Sequence, residues 1–326
     1  MAIVQFDADR EQLDAPFHVP AQTMVETEAF QGETCRFKTS YDIDMLPISV
    51  TNASLVGRPF TTPGADQARG AASVLKLTLK TFNDALLWPE LKPEKVRFYF
   101  QGQSQYTYPL AELLFNQCVQ VFAADDETDT HARRLGAQVV HPVGYDLDQG
   151  LLPYPANSFL GYRLLTEFFV FPEKFMFVDI DLKNAISDST GDTLNLYFYL
   201  AESDIELEHN VGPDFFALHC SPIVNLFEHT ADPIRLDNTQ SEYHVIPDAR
   251  RPIGFEIYSI NKVEASDSSG GKLDYYPFYG LPHNHVGDAN YAYWYGQRRP
   301  AKSGICLLYT SPSPRDLSTS RMPSSA

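Results

Sequence analysis

Two stretches before residue 105 alternate apolar and polar residues with the period of a β-strand. In Ser73–Phe82, Leu75, Leu77 and Leu79 fall on one face, and the other face carries lysine and threonine. Lys95–Gln101 alternates in the same way between aliphatic or aromatic residues and polar ones. A period of two predicts a strand with one buried and one wet face. We therefore expect mainly antiparallel sheet in this region.

Three further runs predict strands that are more completely apolar. They are Cys118–Ala123, Phe175–Ile180 and Asn195–Leu200. Short apolar runs bounded by turn residues are typical of strands. Weaker strand candidates are a segment from Val19, Cys35–Lys38, Ile48–Val56, Ile234–Leu236, Tyr243–Ile246 and Gly254–Val263.

Helical spacing occurs at two places. The first helix places Leu110, Leu113 and Leu114 on one face, with Pro109 near its first turn. The second is expected to begin with Asn157 or Ser158 as its N-cap. It carries an apolar stripe at Leu160, Leu164 and Phe168, flanked by Leu165 and Phe169, and Pro172 is expected to end it.

The pattern as a whole predicts a β-rich α+β fold of two mainly antiparallel domains with a few short helices. Residues 137–157 are dense in proline and glycine, which indicates an extended connection and a domain boundary near residue 150. We expect a β-rich domain at 1–150 and an α+β domain at 151–302. Residues 303–326 are rich in serine and proline, and the strings LLYTSPSPRD and SRMPSSA resemble translated sequencing adapter. We expect this tail to be non-native or disordered.

Charge narrows the classes of function. The 326 residues include 25 lysines and arginines against 42 aspartates and glutamates, a formal net charge of −17. This acidity disfavours binding to nucleic acid or to anionic lipid. A membrane span is not expected, since no apolar run reaches about 18 residues. The four cysteines, Cys35, Cys118, Cys220 and Cys306, lie far apart and are interpreted as reduced thiols of a cytosolic protein.

Candidate chemistry is sparse. Asp179 and Asp181 lie two apart on a predicted strand, where both carboxylates could bind one cation. The sequence contains no nucleophile elbow, P-loop or dinucleotide fingerprint, and His209, His219, Cys220 and His229 match no familiar zinc spacing. No cofactor or metal is expected. An aromatic cluster could line a sugar groove or a protein interface. Its members are Tyr275, Tyr276, Phe278, Tyr279, Tyr291, Tyr293, Trp294 and Tyr295.

Three segments resemble one protein family. Residues 142–182 contain LLPYP, GYRLL and FFVFPEKFMFVD, residues 220–260 contain PIVNLFE and DPIRLD, and residues 35–56 read CRFKTSYDIDMLPISVTNASLV. Together they resemble the TssF family of type VI secretion baseplate subunits. The resemblance covers essentially residues 1–300. Because TssF proteins are longer at both ends, the resemblance implies that this chain is a central fragment.

The resemblance implies a structural function in a contractile injection system. The fold would be similar to a wedge protein of contractile phage baseplates, and the chain would be a scaffold rather than an enzyme. The implied partners are TssG, TssK, a second TssF copy, TssE and the VgrG spike hub. The implied location is the cytoplasm, at the cytoplasmic face of the inner membrane, without membrane insertion.

The residues that match the family signature are candidates for core and turn formation or for a wedge interface. They are Pro153, Tyr154, Pro155, Gly161, Tyr162, Arg163, Phe171, Pro172, Glu173, Lys174, Asp179, Pro222, Asn225, Phe227, Glu228, Pro233, Arg235, Asp237, Glu242 and Tyr243. Two rival hypotheses come from other classes of protein. One is a carbohydrate-active enzyme using Asp179, Asp181 and the aromatic cluster, for which two carboxyls about 5–10 Å apart in a cleft are needed. The other is a stand-alone binding module.

Overall fold

A computed structural model describes most of the chain and divides it into two compact units. The described residues are 1–29, 34–154, 158–236, 239, 242–251, 254–266, 270–278, 292–300 and 306–312. Among them, the first unit ends at Asn225 and the second begins at Leu226. None of the helices in this part of the chain is long and apolar enough to cross a membrane.

Strands dominate both units. The strands are β1 (Ala2–Gln5), β2 (Phe17–Val19), β3 (Met24–Glu26), β4 (Arg36–Thr39), β5 (Ile43–Met45), β6 (Ile48–Gly57), β7 (Ser73–Thr81), β8 (Lys95–Phe100), β9 (Cys118–Ala124), β10 (Arg133–Arg134), β11 (Val140–Val143), β12 (Phe177–Asp181), β13 (Thr193–Leu200), β14 (Phe216–Ala217), β15 (Cys220–Val224), β16 (Tyr243–His244), β17 (Val263–Ser266), β18 (Lys272–Pro277), β19 (Ala292–Pro300) and β20 (Cys306–Pro312). The helices are α1 (Trp88–Leu91), α2 (Ser104–Asn116), α3 (Leu160–Val170) and α4 (Ile205–Asn210).

A five-stranded antiparallel sheet forms the centre of the first unit, in the order β10-β9-β13-β7-β6. Its register aligns Ala53, Leu77, Leu196 and Ala123 across four strands, all buried in the main core. The opposite face of β13 is also buried, in a smaller cluster that includes Tyr197. Burial on both faces explains why β13 reads as a continuous apolar run.

A second sheet covers the main core, in the order β11-β12-β8-β14. Helix α2 packs Leu110, Leu113 and Leu114 into the same core, as the sequence predicts. Pro109 lies one turn deeper in α2 than expected, because the helix already begins at Ser104. The β-rich α+β class and the strong strand predictions are thus confirmed.

The division between the units differs from the predicted boundary near residue 150. Strand β13 lies between β9 and β7, and β12 lies between β11 and β8, so strands from both sides of residue 150 share both sheets. In addition, β1 pairs with β15, which joins Ala2 to Ile223 and closes the first unit. The proline-rich connection itself contains β11, an edge strand of the second sheet. The boundary therefore follows strand pairing rather than local composition.

The second unit contains one described sheet, in the order β16-β20-β19-β18-β17. Its strand pairs are antiparallel apart from β18 and β19, which run parallel. Residues 306–312 of the tail expected to be non-native or disordered form β20, paired with β19; the rest of 303–326 lies outside the described residues. Ile234–Leu236 is not a strand, and neither are residues 254–262.

Candidate interaction surface

Helix α3 turns most of its apolar side chains towards solvent. Tyr162 is 65% exposed and Phe169 is 80% exposed, and Leu165 between them is also more than half exposed. These three side chains lie at i, i+3 and i+7, on one stripe of the helix. We define the aromatic face of α3 as six residues that are each at least half exposed. They are Phe159, Tyr162, Leu165, Phe168, Phe169 and Val170.

The charged side chains of α3 lie on the opposite, buried side of the helix. The helix contains only two charged residues, Arg163 and Glu167, and their exposures are 5% and 0%. Arg163 donates from its two Nη atoms to the carbonyls of Leu147 (2.8 Å) and Asp146 (2.7 Å). These bonds fix α3 to the loop that precedes it.

Glu167 extends this attachment to the backbone further along the loop. Its Oε1 accepts hydrogen bonds from the backbone N–H groups of Leu151 (2.8 Å) and Leu152 (3.1 Å). Its other oxygen pairs with the ammonium of Lys174, which is also completely buried. Burial lowers the pKa of Lys174, although the Glu167 carboxylate opposes this shift.

A chain of polar contacts continues from Lys174 to the second sheet. The hydroxyl of Tyr41 donates to the Lys174 carbonyl at 3.0 Å, and burial raises the pKa of Tyr41 far above its ordinary value. The guanidinium of Arg97 lies 5.4 Å from the centre of the Tyr41 ring. Arg97 pairs in turn with Asp179 directly across from it on the neighbouring strand.

Asp179 is held by two cations. Its carboxylate accepts from Arg97 Nε (2.6 Å) and Nη2 (2.8 Å), and from Lys95 Nζ (2.7 Å). Burial favours the neutral acid, but the hydrogen bonds and charge of Arg97, followed by those of Lys95, hold the pKa of Asp179 below its ordinary value. We call the six residues Arg163, Glu167, Lys174, Tyr41, Arg97 and Asp179 the polar network.

The polar network explains how α3 is oriented. A surface helix normally buries its apolar stripe and exposes its charges. Burying a charged group costs several kcal/mol unless it is paired and hydrogen-bonded. Glu167 and Lys174 form an ion pair, and Arg163 donates from both Nη atoms to backbone carbonyls. The helix is therefore fixed through its charges, and its aromatic face is exposed to solvent.

The aromatic face packs on a buried aromatic ring, Phe175. Phe168 lies 5.7 Å from Phe169 and 5.8 Å from Phe175, measured between ring centres. Phe175 is itself only 2% exposed, and its ring centre lies 5.0 Å from that of Tyr145, which is 48% exposed. Contiguous apolar surface of more than a few hundred Å² is typical of interaction sites.

The surroundings of Asp179 and Asp181 do not fit the hypothesis of a carbohydrate-active enzyme. Asp179 is buried and neutralised by Arg97 and Lys95, while Asp181 accepts from the backbone N–H of Lys183 at 2.9 Å. The pair does not present two open carboxylates to a cleft. Across the described residues, no group of three or more histidine, cysteine or acidic side chains could hold a metal ion.

One cleft does place a histidine beside a cysteine. It has a volume of about 310 Å³, and His219 and Cys220 both contribute to its wall. Burial raises the pKa of Cys220 to about 12, and its thiol donates to the carbonyl of Leu218 at 3.4 Å. His219 Nε2 accepts from the Leu46 N–H at 3.1 Å, and burial lowers the pKa of His219. Neither group is poised for nucleophilic chemistry.

The first signature segment surrounds α3. Tyr162 belongs to the aromatic face, and Arg163, Lys174 and Asp179 belong to the polar network. A Cβ on Gly161 would collide with the ring of Phe159. The remaining members have mixed burial. Pro153 is exposed, Tyr154, Phe171, Pro172 and Glu173 are half-buried, and Pro155 lies outside the described residues.

The second signature segment is divided between the two units. Pro222 is buried in β15 opposite Ile3, and Asn225 is the exposed last residue of the first unit. Within the second unit, Phe227 packs against Phe255 with ring centres 5.9 Å apart. The other members are exposed Glu228, Pro233 and Arg235, half-buried Glu242, buried Tyr243, and Asp237, which lies outside the described residues.

The aromatic cluster lies in the second unit. Tyr275 and Tyr276 are in β18, and Tyr293, Trp294 and Tyr295 are in β19. Phe278 and Tyr293 lie 6.3 Å apart, while Tyr279 and Tyr291 lie outside the described residues. The cluster therefore spans neighbouring strands of one sheet.

Sequence reasoning missed which side of α3 is buried. The sequence shows the apolar spacing of Leu160, Leu164 and Phe168. Leu160 and Leu164 are partly buried in the structure, whereas Phe168 belongs to the exposed face. One signal was available, since Arg163 and Glu167 lie four residues apart on the same face of an otherwise uncharged helix.

Comparison with known proteins gives three concordant findings. The family described as "Type VI secretion system, TssF" matches residues 1–305. The chain is 31% identical over 252 residues to the type VI secretion system component TssF1 of Pseudomonas aeruginosa, covering 76% of this chain and 40% of that protein. A chain in a cryo-electron microscopy structure of the TssK–TssF–TssG baseplate subcomplex has a similar fold, with a TM-score of 0.75 and 23% identity. That match covers 95% of this chain and 57% of the other, so this chain spans only part of its relatives' length.

Proposed function

This chain belongs to the TssF family of the type VI secretion system, and we propose that it is a structural scaffold of the baseplate wedge. The observation that carries the proposal is the aromatic face of α3, held outward by charges that are buried beneath it. Such a face is costly in a protein that functions alone and useful in one that assembles.

The proposed direct partners are TssG and TssK. The structurally similar chain belongs to a TssK–TssF–TssG baseplate subcomplex. We extend the proposal to a second TssF copy, TssE and the VgrG spike hub, which the family resemblance implies. The proposed location is the cytoplasm, at the cytoplasmic face of the inner membrane.

We propose further that the chain performs no catalysis. The carboxylate pair that favoured an enzyme is occupied by Arg97, Lys95 and a backbone N–H. The adjacent His219 and Cys220 are held in unreactive states by burial and by their hydrogen bonds. Both arrangements support a structural role for polar residues in this unit.

Co-expression tests the proposed function. The full-length gene would be expressed with its own TssG and TssK, with an affinity tag on TssG only, and the purified material would be sized by light scattering. We expect the TssF chain to co-purify in a fixed ratio with both proteins. Recovery of TssG and TssK without the chain would overturn the proposal.

A further inference from the structure

We infer that the aromatic face of α3 docks an amphipathic helix of a neighbouring protein, through an apolar stripe that carries no charge. This inference rests on the proposed function and assigns one surface to it. Three properties of the face define the occupant: its charge, its area and the spacing of its exposed side chains.

Charge is the first property. The exposed side of α3 presents no charged side chain, because Arg163 and Glu167 are both buried on the other side. A charged counterpart would lose its hydration without gaining a partner. The occupant must therefore present an apolar surface in spite of the net charge of −17 on the whole chain.

The same property argues against a lipid surface. Helices that lie on membranes combine an apolar face with lysine and arginine at its edges, which bind anionic headgroups. In α3 the single basic residue, Arg163, donates to two backbone carbonyls beneath the helix. A protein partner fits this chemistry better than a bilayer.

Area is the second property. Four of the six residues in the face are aromatic, and Phe159 and Phe169 are 73% and 80% exposed. A fully exposed aromatic side chain presents about 150–250 Å², so the face offers on the order of 800 Å². Each partner in a stable protein interface buries about 800 Å². The aromatic face is thus large enough for one specific contact.

Spacing is the third property. Tyr162, Leu165 and Phe169 lie at i, i+3 and i+7, which is the spacing of a helix-packing seam. Eleven residues of helix extend about 16 Å. A partner helix of two to three turns would cover this length. An extended strand would have no unpaired backbone groups to pair with on a helical face.

Substitutions in the face test the inference in the full-length chain, co-expressed with TssG and TssK. Leu165→Glu and Phe169→Glu each place a charge in the seam, and Leu165→Gln and Phe169→Gln test polarity without charge. The matched control is Ile205→Glu, because Ile205 is an apolar residue of α4 that is 71% exposed. Thermal unfolding of each isolated variant checks that the fold is retained.

We expect either glutamate variant to weaken co-purification roughly tenfold or more, the effect of losing a central apolar anchor. The glutamine variants should weaken it less, and Ile205→Glu should leave it unchanged. Full recovery of the complex with folded Leu165→Glu and Phe169→Glu would overturn the inference while leaving the proposed function intact. Failure of the unsubstituted chain to form the complex would overturn both.

A photo-crosslink identifies the occupant. Benzoylphenylalanine in place of Phe169, in the same complex, should cross-link to the apolar stripe of a helix in TssG or TssK. The same group at Ile205 should not give that product. A cross-link to a second copy of this chain or to a loop or strand, or binding of the isolated chain to anionic vesicles through position 169, would contradict the assignment.

Discussion

The ion pair of Glu167 and Lys174 shows most clearly how single residues determine which side of α3 faces solvent. We expect Glu167→Gln to lower the free energy of unfolding by about 3–5 kcal/mol, since it leaves the Lys174 ammonium buried without a counter-ion. The glutamine carbonyl can still accept from the Leu151 and Leu152 N–H groups, so the loss reports the ion pair. Urea unfolding measures this change.

The double variant separates the pair from its surroundings. Adding Lys174→Met to Glu167→Gln removes both charges, and we expect it to recover a large part of the lost stability. The Lys174 backbone carbonyl still accepts from Tyr41 in this variant. Additive losses from the two substitutions would show that the ion pair does not stabilise α3.

Asp179 provides a prediction about pH. Its folded-state pKa is held below the ordinary value, so its pairing with Arg97 stabilises the fold above that ordinary value, near pH 4. This contribution is lost as the pH falls through the lower folded-state pKa. We expect Asp179→Asn to cost about 2–4 kcal/mol near pH 7, and the difference from the unsubstituted chain should shrink below about pH 4. Unfolding free energies that differ equally at pH 7 and pH 3 would contradict this account.

At the scale of elements, periodicity predicted the strands better than it predicted the role of α3. β7 and β8 follow from alternation alone, because one face of each strand meets the core. The orientation of α3 depends instead on carbonyls of Asp146 and Leu147 and on Lys174. Those partners are brought together only by the tertiary fold, so the spacing of Arg163 and Glu167 places both on one face of α3 without showing that this face is buried.

The turn before α3 supports the polar network through Gly144. Its φ is +111°, and an added Cβ would lie 3.0 Å from Tyr41 Oη and 3.1 Å from the Lys174 carbonyl oxygen. Gly144→Ala therefore combines backbone strain with a collision that the backbone of Lys174 cannot relieve easily. We expect a loss of about 1–3 kcal/mol in unfolding free energy.

Gly70 is the matched control for this substitution. Its φ is +88°, but an added Cβ there would meet no atom within 4 Å. Gly70→Ala should therefore show only the strain of about 1 kcal/mol, visible as a smaller decrease in melting temperature. Equal decreases for the two variants would mean that the contact with Tyr41 and Lys174 contributes nothing.

For the whole molecule, composition placed the boundary near residue 150, whereas strand pairing places it after Asn225. A chain of residues 1–225 keeps β12, β13 and β15, and we expect it to unfold cooperatively by circular dichroism. Residues 1–150 lack the central strand β13 and should not fold. A cooperative transition for 1–150 would show that the units were divided wrongly.

The acidity is a property of the whole chain rather than of any one residue. A net charge of −17 disfavours nucleic acid as a partner, while the surface proposed for assembly carries no charge at all. Charge can thus govern solubility and encounter, and apolar area can govern the contact itself.

Hydrogen–deuterium exchange of the full-length chain, free and in complex with TssG and TssK, tests the central claim most directly. The claim is that the aromatic face of α3 is covered on assembly. It predicts that amides of residues 160–170 exchange more slowly in the complex, while those of β7 and β13 stay as slow as in the free chain. Unchanged exchange in α3, with new protection elsewhere in the first unit, would contradict it.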